Sequence, residues 1–540
     1  MGSAKDIKVV QFERSAEEGS AKKEESSNQH QNEQEKVSGE LVKPDNLTKN
    51  ALEATSSTSR TDLSTVVDDR PTGLRALSLA KSQEGITYAV LRDKRNPYLQ
   101  SIRSKAFFNY TRAQLAKSGE APKSHQVQEV VDQLDANASV DGEVVDTWYR
   151  VAALPDGKGI VVDLGDEDHT HARVTPGNVE VVSENSASLF YRTPVSRPMG
   201  VPASYGDLSL LSKYVNLSDV DQLLLRAWIS YTLAHPKVAS SKYPVLVLQG
   251  DQGTGKSSLV SNIILPLIDP TMLGMQVFPG NPKDLCIAMQ NTHVLAYDNM
   301  RGFNQSMSDI LCIASTGGAI SSRALYTDSD INIQRLHGAL ILNGIHSFVS
   351  HSDLAQRCLC IRTKELPETL RKSESEIVRE YHADFPKIFR GVLDLIANVF
   401  THLDDVVPEH PERMIDFVRW LAALEKVDGA PSGAYQAAYS ANLNEAQLDS
   451  LLEHTLADAV FRFATEHVSG SWSGTPTKLL DELNDCAPRT TQYSRDWPHN
   501  AIALSKRLNA LKASFKGQGI EIEFTRGKQR TITITNLGDF

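Results

Sequence analysis

One octapeptide limits what this chain can fold into more than any other stretch. Gly250-Asp251-Gln252-Gly253-Thr254-Gly255-Lys256-Ser257 fits the phosphate-loop pattern G-x-x-x-x-G-K-[ST]. The apolar run Val245-Leu246-Val247-Leu248 before it reads as a buried parallel strand. Ser258-Leu259-Val260-Ser261-Asn262-Ile263-Ile264 after it reads as the first turns of a helix. Strand, glycine loop and helix in that order make a cradle for phosphates. Glycines let backbone N–H groups close around the anion, and the helix N-terminus adds partial positive charge. The residue types suit ATP with Mg2+: Lys256 to the β- and γ-phosphates, the Ser257 hydroxyl to the metal. The expected nucleotide-binding set is Gly250, Asp251, Gln252, Gly253, Thr254, Gly255, Lys256, Ser257 and Ser258.

Downstream spacing adds mechanism. His293-Val294-Leu295-Ala296-Tyr297-Asp298-Asn299 is an apolar strand ending in an acid, so Asp298 is the expected second metal-holding residue beside Ser257. The position after it, where a glutamate base is usual, holds Asn299. An amide positions water but cannot take its proton, which predicts slow hydrolysis or a base elsewhere, with Asp309 and Asp328 as candidates. Ala339-Leu340-Ile341-Leu342-Asn343 is a second apolar strand ending in an amide that can orient the attacking water. Arg357 follows in Asp353-Leu354-Ala355-Gln356-Arg357. Its expected role is to reach a neighbouring copy's site and stabilise charge on the transferring phosphoryl group.

Composition narrows the rest. The chain has 540 residues, a net charge of −11 and 40% hydrophobic residues, so nucleic-acid contact needs a local basic surface. Five cysteines match no zinc or disulfide spacing, and there is no secretory signal or long apolar span; a cytoplasmic protein without membrane contact is expected. Residues 1–70 lack aromatic and apolar content and read as a disordered leader. Residues 71–205 read as a small α+β domain, with helices over 74–80, 101–115 and 126–136 and then short antiparallel strands. Residues 206–395 alternate strands and helices, as an α/β domain with a parallel sheet does. Residues 396–465 read as a helical connector. Residues 466–540 read as a winged-helix-like domain ending in a hairpin. From residue 471 onward ten Lys/Arg stand against seven Asp/Glu. Arg526, Lys528 and Arg530 at the hairpin turn are the expected DNA contacts.

The motifs together resemble a known group: AAA+ ATPases related to superfamily 3 helicases, in the primase-helicase-like proteins of prophages, plasmids and mobile elements. The residues that carry it are 243–257, Ala296-Tyr297-Asp298-Asn299, residues 315–328, Leu342-Asn343-Gly344-Ile345 and 353–357. The resemblance implies a P-loop core, homo-oligomeric rings, often hexamers, with ATP between subunits, and a pore hairpin over Arg323 to Gln334 that grips single-stranded DNA. Arg323 and Arg335 would be its charged contacts and Tyr326 a stacking one; a role for Arg323 at the nucleotide phosphates stays open. Lys256, Asp298, Asn299, Asn343 and Arg357 would carry catalysis. The expectation is an ATP-dependent DNA translocase or helicase in mobile-element replication. The alternative is an ATP-binding switch or scaffold with weak hydrolysis, loading a partner or acting in defence between elements.

Overall fold

The computed structural model describes residues 74, 77–117, 121–184, 186–323, 331–345, 347–365, 372–494, 497–527 and 530–538. The expected leader, residues 1–70, lies outside them.

Five short apolar runs build the central sheet: β10 (Val245–Gln249), β11 (Met275–Val277), β12 (Val294–Met300), β15 (Ala339–Gly344) and β16 (Cys358–Arg362). Their order is β11-β12-β15-β10-β16, and every pair is parallel. β10 and β15 are buried at every position. That explains their unbroken apolar sequences, since helices cover both faces of such a sheet. Alternate residues serve alternate faces. Leu246, Leu248, Ile341 and Leu359 pack with Trp228 and Tyr231 of α3 (Asp219–Ala234), while Val245, Val247, Leu340 and Leu342 pack with Leu285 and Met289 of α5 (Pro282–Gln290) and with Leu311. The α/β architecture with a parallel sheet is thus observed.

Two sheets precede it. β1 (Ser78–Lys81), β2 (Thr87–Leu91), β3 (Tyr98–Ser101), β4 (Glu143–Val144) and β9 (Phe190–Tyr191) form one in the order β4-β1-β2-β3-β9. Helices α1 (Lys105–Ala116) and α2 (Ser124–Asp141) cover it. The helix expected over 74–80 is corrected here: residues 78–80 lie in β1, antiparallel to β2 and parallel to β4. Ladder pairing with β2 on one side and β4 on the other outweighs the helical propensity of Leu-Ala-Lys. The second sheet is antiparallel: β5 (Val151–Ala153), β6 (Ile160–Asp163), β7 (His171–Thr175) and β8 (Asn178–Val182). Its Val162, Ala172 and Val174 join the same core cluster as Phe385, Phe389 and Trp228.

A buried ion pair ties this sheet to the central one. Arg150 has a left-handed φ of 62° and donates from Nε to Asp269 Oδ1 at 3.0 Å. Its other nitrogens donate to the carbonyls of Asp163, Arg197 and Pro270. Asp269 Oδ2 in turn accepts from the amides of His293 (2.5 Å) and Val294 (3.2 Å), where β12 begins.

Helices follow β16: α8 (Glu374–Phe400), α9 (Ile415–Asp428) and α10 (Ala434–Leu452). The final segment holds α11 (Thr455–Arg462), β17 (Ser471–Gly474), α12 (Pro476–Cys486), α14 (Ala501–Lys516), β18 (Ile520–Arg526) and β19 (Arg530–Asn536), with a short α13 (Arg489–Gln492) between α12 and α14. Its antiparallel sheet runs β17-β19-β18 and closes over its own core, including Leu479, Trp497, Leu508 and Ile534.

Candidate functional site

The loop after β10 owes its shape to glycine. Gly250, Gly253 and Gly255 have φ of 145°, 85° and 84°, and side chains are strained there. A Cβ on Gly250 would also stand 2.2 Å from Thr363 Oγ1. Gly255 leads into Lys256–Ser258, a wider-turned segment over Leu259–Ile264 and a last turn over Leu265–Ile268, together α4. Lys256 is buried, and its Nζ donates to the carbonyls of Gly250 and Asp251 at 2.7 Å each. Burial lowers its pKa from the usual lysine value, against the opposing charges of Asp251 and Asp298. Asp251, Gln252 and Gly253 are exposed at the loop's rim. Thr254 Oγ1 meets Thr363 Oγ1 at 2.7 Å, and Ser258 Oγ accepts from Asn262 Nδ2 at 3.0 Å.

Two parallel strands and the start of a helix converge beside this loop. Ser257 Oγ donates to Asp298 Oδ2 at 3.1 Å. Asn343 Nδ2 donates to Asp298 Oδ1 at 2.6 Å and to Ser257 Oγ at 3.1 Å. β12, β15 and the start of α4 therefore meet in one triangle at the strands' C-terminal ends. Asn343 Oδ1 is buried and has no partner within the described residues, which leaves an acceptor to be satisfied. Ser257 and Asp298 offer hard oxygen ligands side by side, a donor set that fits Mg2+.

Asn299 follows at a register shift in the β12–β15 ladder with a φ of 54°. Its amide donates to Asp298 Oδ1 at 2.8 Å, so the kink fixes the carboxylate beside it. Asn tolerates this left-handed turn better than most residues. Asn299 also lines a cavity of about 310 Å³ with Met300, Arg301, Ile345, Ser347 and Phe348. Asp309 lies on α6 (Gln305–Thr316), accepting from Gln305 Nε2 at 2.7 Å. Asp328 lies outside the described residues.

Arg357 is not brought to this cluster. It precedes β16, and its carbonyl accepts from Val245 N at 2.8 Å, so it sits at the strands' N-terminal ends. Within one chain the sheet separates it from the glycine loop. It pairs with Asp353 on α7 (Ser352–Ala355).

The DNA-contact candidates are dispersed. β13 (Gly318–Arg323) and β14 (Ile331–Leu336) form an antiparallel hairpin. Arg323 ends its first strand, though its side chain lies outside the described atoms, as does the whole of Tyr326. Arg335 Nη2 pairs with Glu84 Oε1 at 2.5 Å, both partly exposed. Arg526 and Arg530 face each other across the β18–β19 pair. Arg530 is exposed, the Arg526 side chain is outside the described atoms, and Lys528 is outside altogether.

Two residues, one at the glycine loop and one beside Arg357, escaped sequence reasoning. Thr363 braces the glycine loop because β16 lies next to β10, with Gln249 opposite Arg362; only strand order reveals that. Arg413 joins Arg357 on Asp353 from 57 residues beyond Gln356, which it also touches.

Residues 208–449 match the family model of the actinomycete integrative conjugative element replication protein. Residues 456–539 match that of the AICE RepA C-terminal domain. The two matches point to a replication protein of a mobile element. No curated protein matches the chain. Among solved structures, the chain is similar to the apo C-terminal region of NrS-1, at 12% identity and a TM-score of 0.33. That likeness covers 86% of this chain and 97% of the other. It is also similar to the JCV helicase, at 15% identity and a TM-score of 0.23, over 44% of this chain and 64% of the other. Among the described residues no helix is long and apolar enough to cross a membrane.

Proposed function

We propose that this chain is an ATP-hydrolysing DNA translocase or helicase that serves replication of a mobile element in the cytoplasm. The observation that carries the reading is the convergence of Ser257, Asp298 and Asn343 beside the Lys256 loop. Gly250 to Ser258 would wrap the triphosphate, with Lys256 turning from loop carbonyls to phosphate oxygens. Mg2+ held by Ser257 and Asp298 would neutralise charge between the β- and γ-phosphates. The partnerless Asn343 Oδ1 would accept from the attacking water and aim it at the γ-phosphorus. Arg357, at the opposite end of the strands, would act only on a second copy's nucleotide, which requires an oligomer such as a hexamer. The β13–β14 hairpin would grip single-stranded DNA. The element order α11-β17-α12-α13-α14-β18-β19 supports a winged-helix-like DNA contact, and Lys506, Lys516 and Arg530 in this segment are exposed.

The deciding experiment is steady-state ATP hydrolysis with and without single-stranded DNA. Wild type is expected to turn over faster with DNA, and Lys256→Ala to lose turnover in both conditions. No hydrolysis by wild type with DNA sinks the motor. A second reading, a nucleotide-held switch or scaffold, is favoured by Asn299 at the base position. Tight ATP binding without DNA-stimulated turnover is its signature.

A further inference from the structure

The antiparallel sheet β5–β8 has apolar residues on both faces. Ile160, Val162 and Val174 join the large core. Val161 lies on the other face, opposite Ala152 on β5 and Arg173 on β7. A sheet with one face on a core usually turns polar residues outward. Here Ala152, Leu154 and Val161 form a small buried cluster with Phe190, and the half-buried Trp148 packs against it. The backbone holds Trp148 in place. Its amide donates to the Leu189 carbonyl at 3.1 Å, and its carbonyl accepts from the Tyr191 amide at 2.9 Å.

The cover is incomplete. A cavity of about 660 Å³ opens between this face, Trp148 and the segment leading into β9, against about 310 Å³ for the one beside Asn299. Leu154, Val161 and the Trp148 indole line it on the apolar side. Exposed Asp146 and Arg173 and half-buried Ser188 line it on the polar side. Among the described residues none of these polar side chains has a hydrogen-bond or ion-pair partner, and no ring stacks on Trp148. The fold leaves the whole set unspent.

The lining selects a ligand by its chemistry. An indole takes a flat ring by stacking, and a guanidinium takes a phosphate. A carboxylate and a hydroxyl offer hydrogen bonds to the edge of a ring. A nucleobase with its phosphate calls for these groups together. A peptide strand fits worse, because strand addition needs free main-chain groups along an edge. Pro155 at the cavity has no N–H, and the amides of Trp148 and Ser186 are engaged by the Leu189 carbonyl and Asn96 Oδ1.

We propose that this cavity binds a nucleotide, its base stacked on Trp148 and its phosphate on Arg173. Two sources share that chemistry, a base of single-stranded DNA and a free nucleotide. The inference goes beyond the ATPase reading: it gives residues 71–205 a ligand, and binding there needs no hydrolysis.

The test is photo-crosslinking of the full chain without ATP. One arm uses a single-stranded oligonucleotide of about ten nucleotides carrying iododeoxyuridine. The other uses iododeoxyuridine monophosphate. Mass spectrometry is expected to place the crosslink on Trp148. Crosslinking of the oligonucleotide assigns the site to DNA, and crosslinking of the monophosphate alone assigns it to a free nucleotide; either supports the proposal. Trp148→Ala should weaken binding of the probe that crosslinks at least about tenfold, and Trp148→Phe, which keeps a ring, much less. Arg173→Gln, a change at the surface, should lower the slope of log affinity against log salt by about one for the oligonucleotide. No crosslink at Trp148 with either probe overturns the proposal, and so does full affinity in Trp148→Ala. Absence of ATP hydrolysis in wild type overturns the ATPase reading and leaves this site standing, so the two failures are told apart.

Discussion

Asn299 shows how one backbone angle can dictate a residue type. Its φ of 54° at the ladder kink disfavours any side chain without a short polar group. Asn299→Glu, the substitution that would supply a carboxylate base, is therefore expected to cost about 1–2 kcal/mol. Asn299→Gly should leave stability nearly unchanged. Denaturant midpoints of the two variants check the pair, and equal midpoints would refute the strain. Gly250 is the opposite case, where space matters as much as angle. Gly250→Ala puts a methyl 2.2 Å from Thr363 Oγ1. It should lower affinity for a fluorescent ATP analogue at least about tenfold, and Thr363→Ser should not repair it, because the hydroxyl remains. Lys256, Asp298 and Asn343 were legible from sequence because each ends or follows an apolar strand. Thr363 and Arg413 were not, since their roles depend on which strands and helices become neighbours.

At the scale of elements, the sheet's exposed edge is managed by a helix. β16 ends the strand order, and α10 lies beside it. Cys360 N donates to Asn442 Oδ1 at 3.0 Å, and Asn442 Nδ2 donates back to the Cys360 carbonyl. Arg362 adds ion pairs to Glu445 and Asp449 on the same helix. An edge strand left unpaired invites aggregation, and here a side-chain amide imitates a further strand. Asn442→Ala should destabilise the chain by about 1–3 kcal/mol in urea unfolding, because two buried-edge backbone groups lose their partners. The apolar runs at Val245–Gln249, Val294–Tyr297, Ala339–Asn343 and Cys358–Arg362 announced four of the five central strands. Met275–Val277 was hidden, being two half-exposed residues and an exposed one whose pairing with β12 alone makes them a strand. Likewise β1 read as helix because its place is set by pairing with β2 and β4, which the local pattern of residues does not show.

Across the whole molecule, four buried histidines set a limit on acid tolerance. Burial, the leading cause in each, lowers His169, His171, His293 and His337 from 6.5 to about 4. Neither ring nitrogen of His171 has a partner among the described residues. The unfolded chain takes up these protons below pH 6.5, while the folded chain resists until about pH 4. Stability is therefore full above pH 6.5 and declines as pH falls toward 4, by up to about 3 kcal/mol per histidine. Thermal melts between pH 7.5 and 4.5 should show a steady fall, and His171→Phe should make it shallower, with the other three histidines still contributing. A level profile would contradict the assignment.

The joint between Arg150 and Asp269 has a consequence for ancestry. A fragment beginning at residue 206 would keep Asp269, with its amide partners on β12, but lose the guanidinium that neutralises it. Breaking such a buried pair from one side costs about 3–5 kcal/mol, so that fragment should be less stable than the longer chain. A crossover between residues 150 and 269 meets the same difficulty. It would set one lineage's buried cation against whatever another lineage places opposite. The antiparallel sheet and the central parallel sheet are thus expected to be inherited together, as one gene segment and not as interchangeable cassettes.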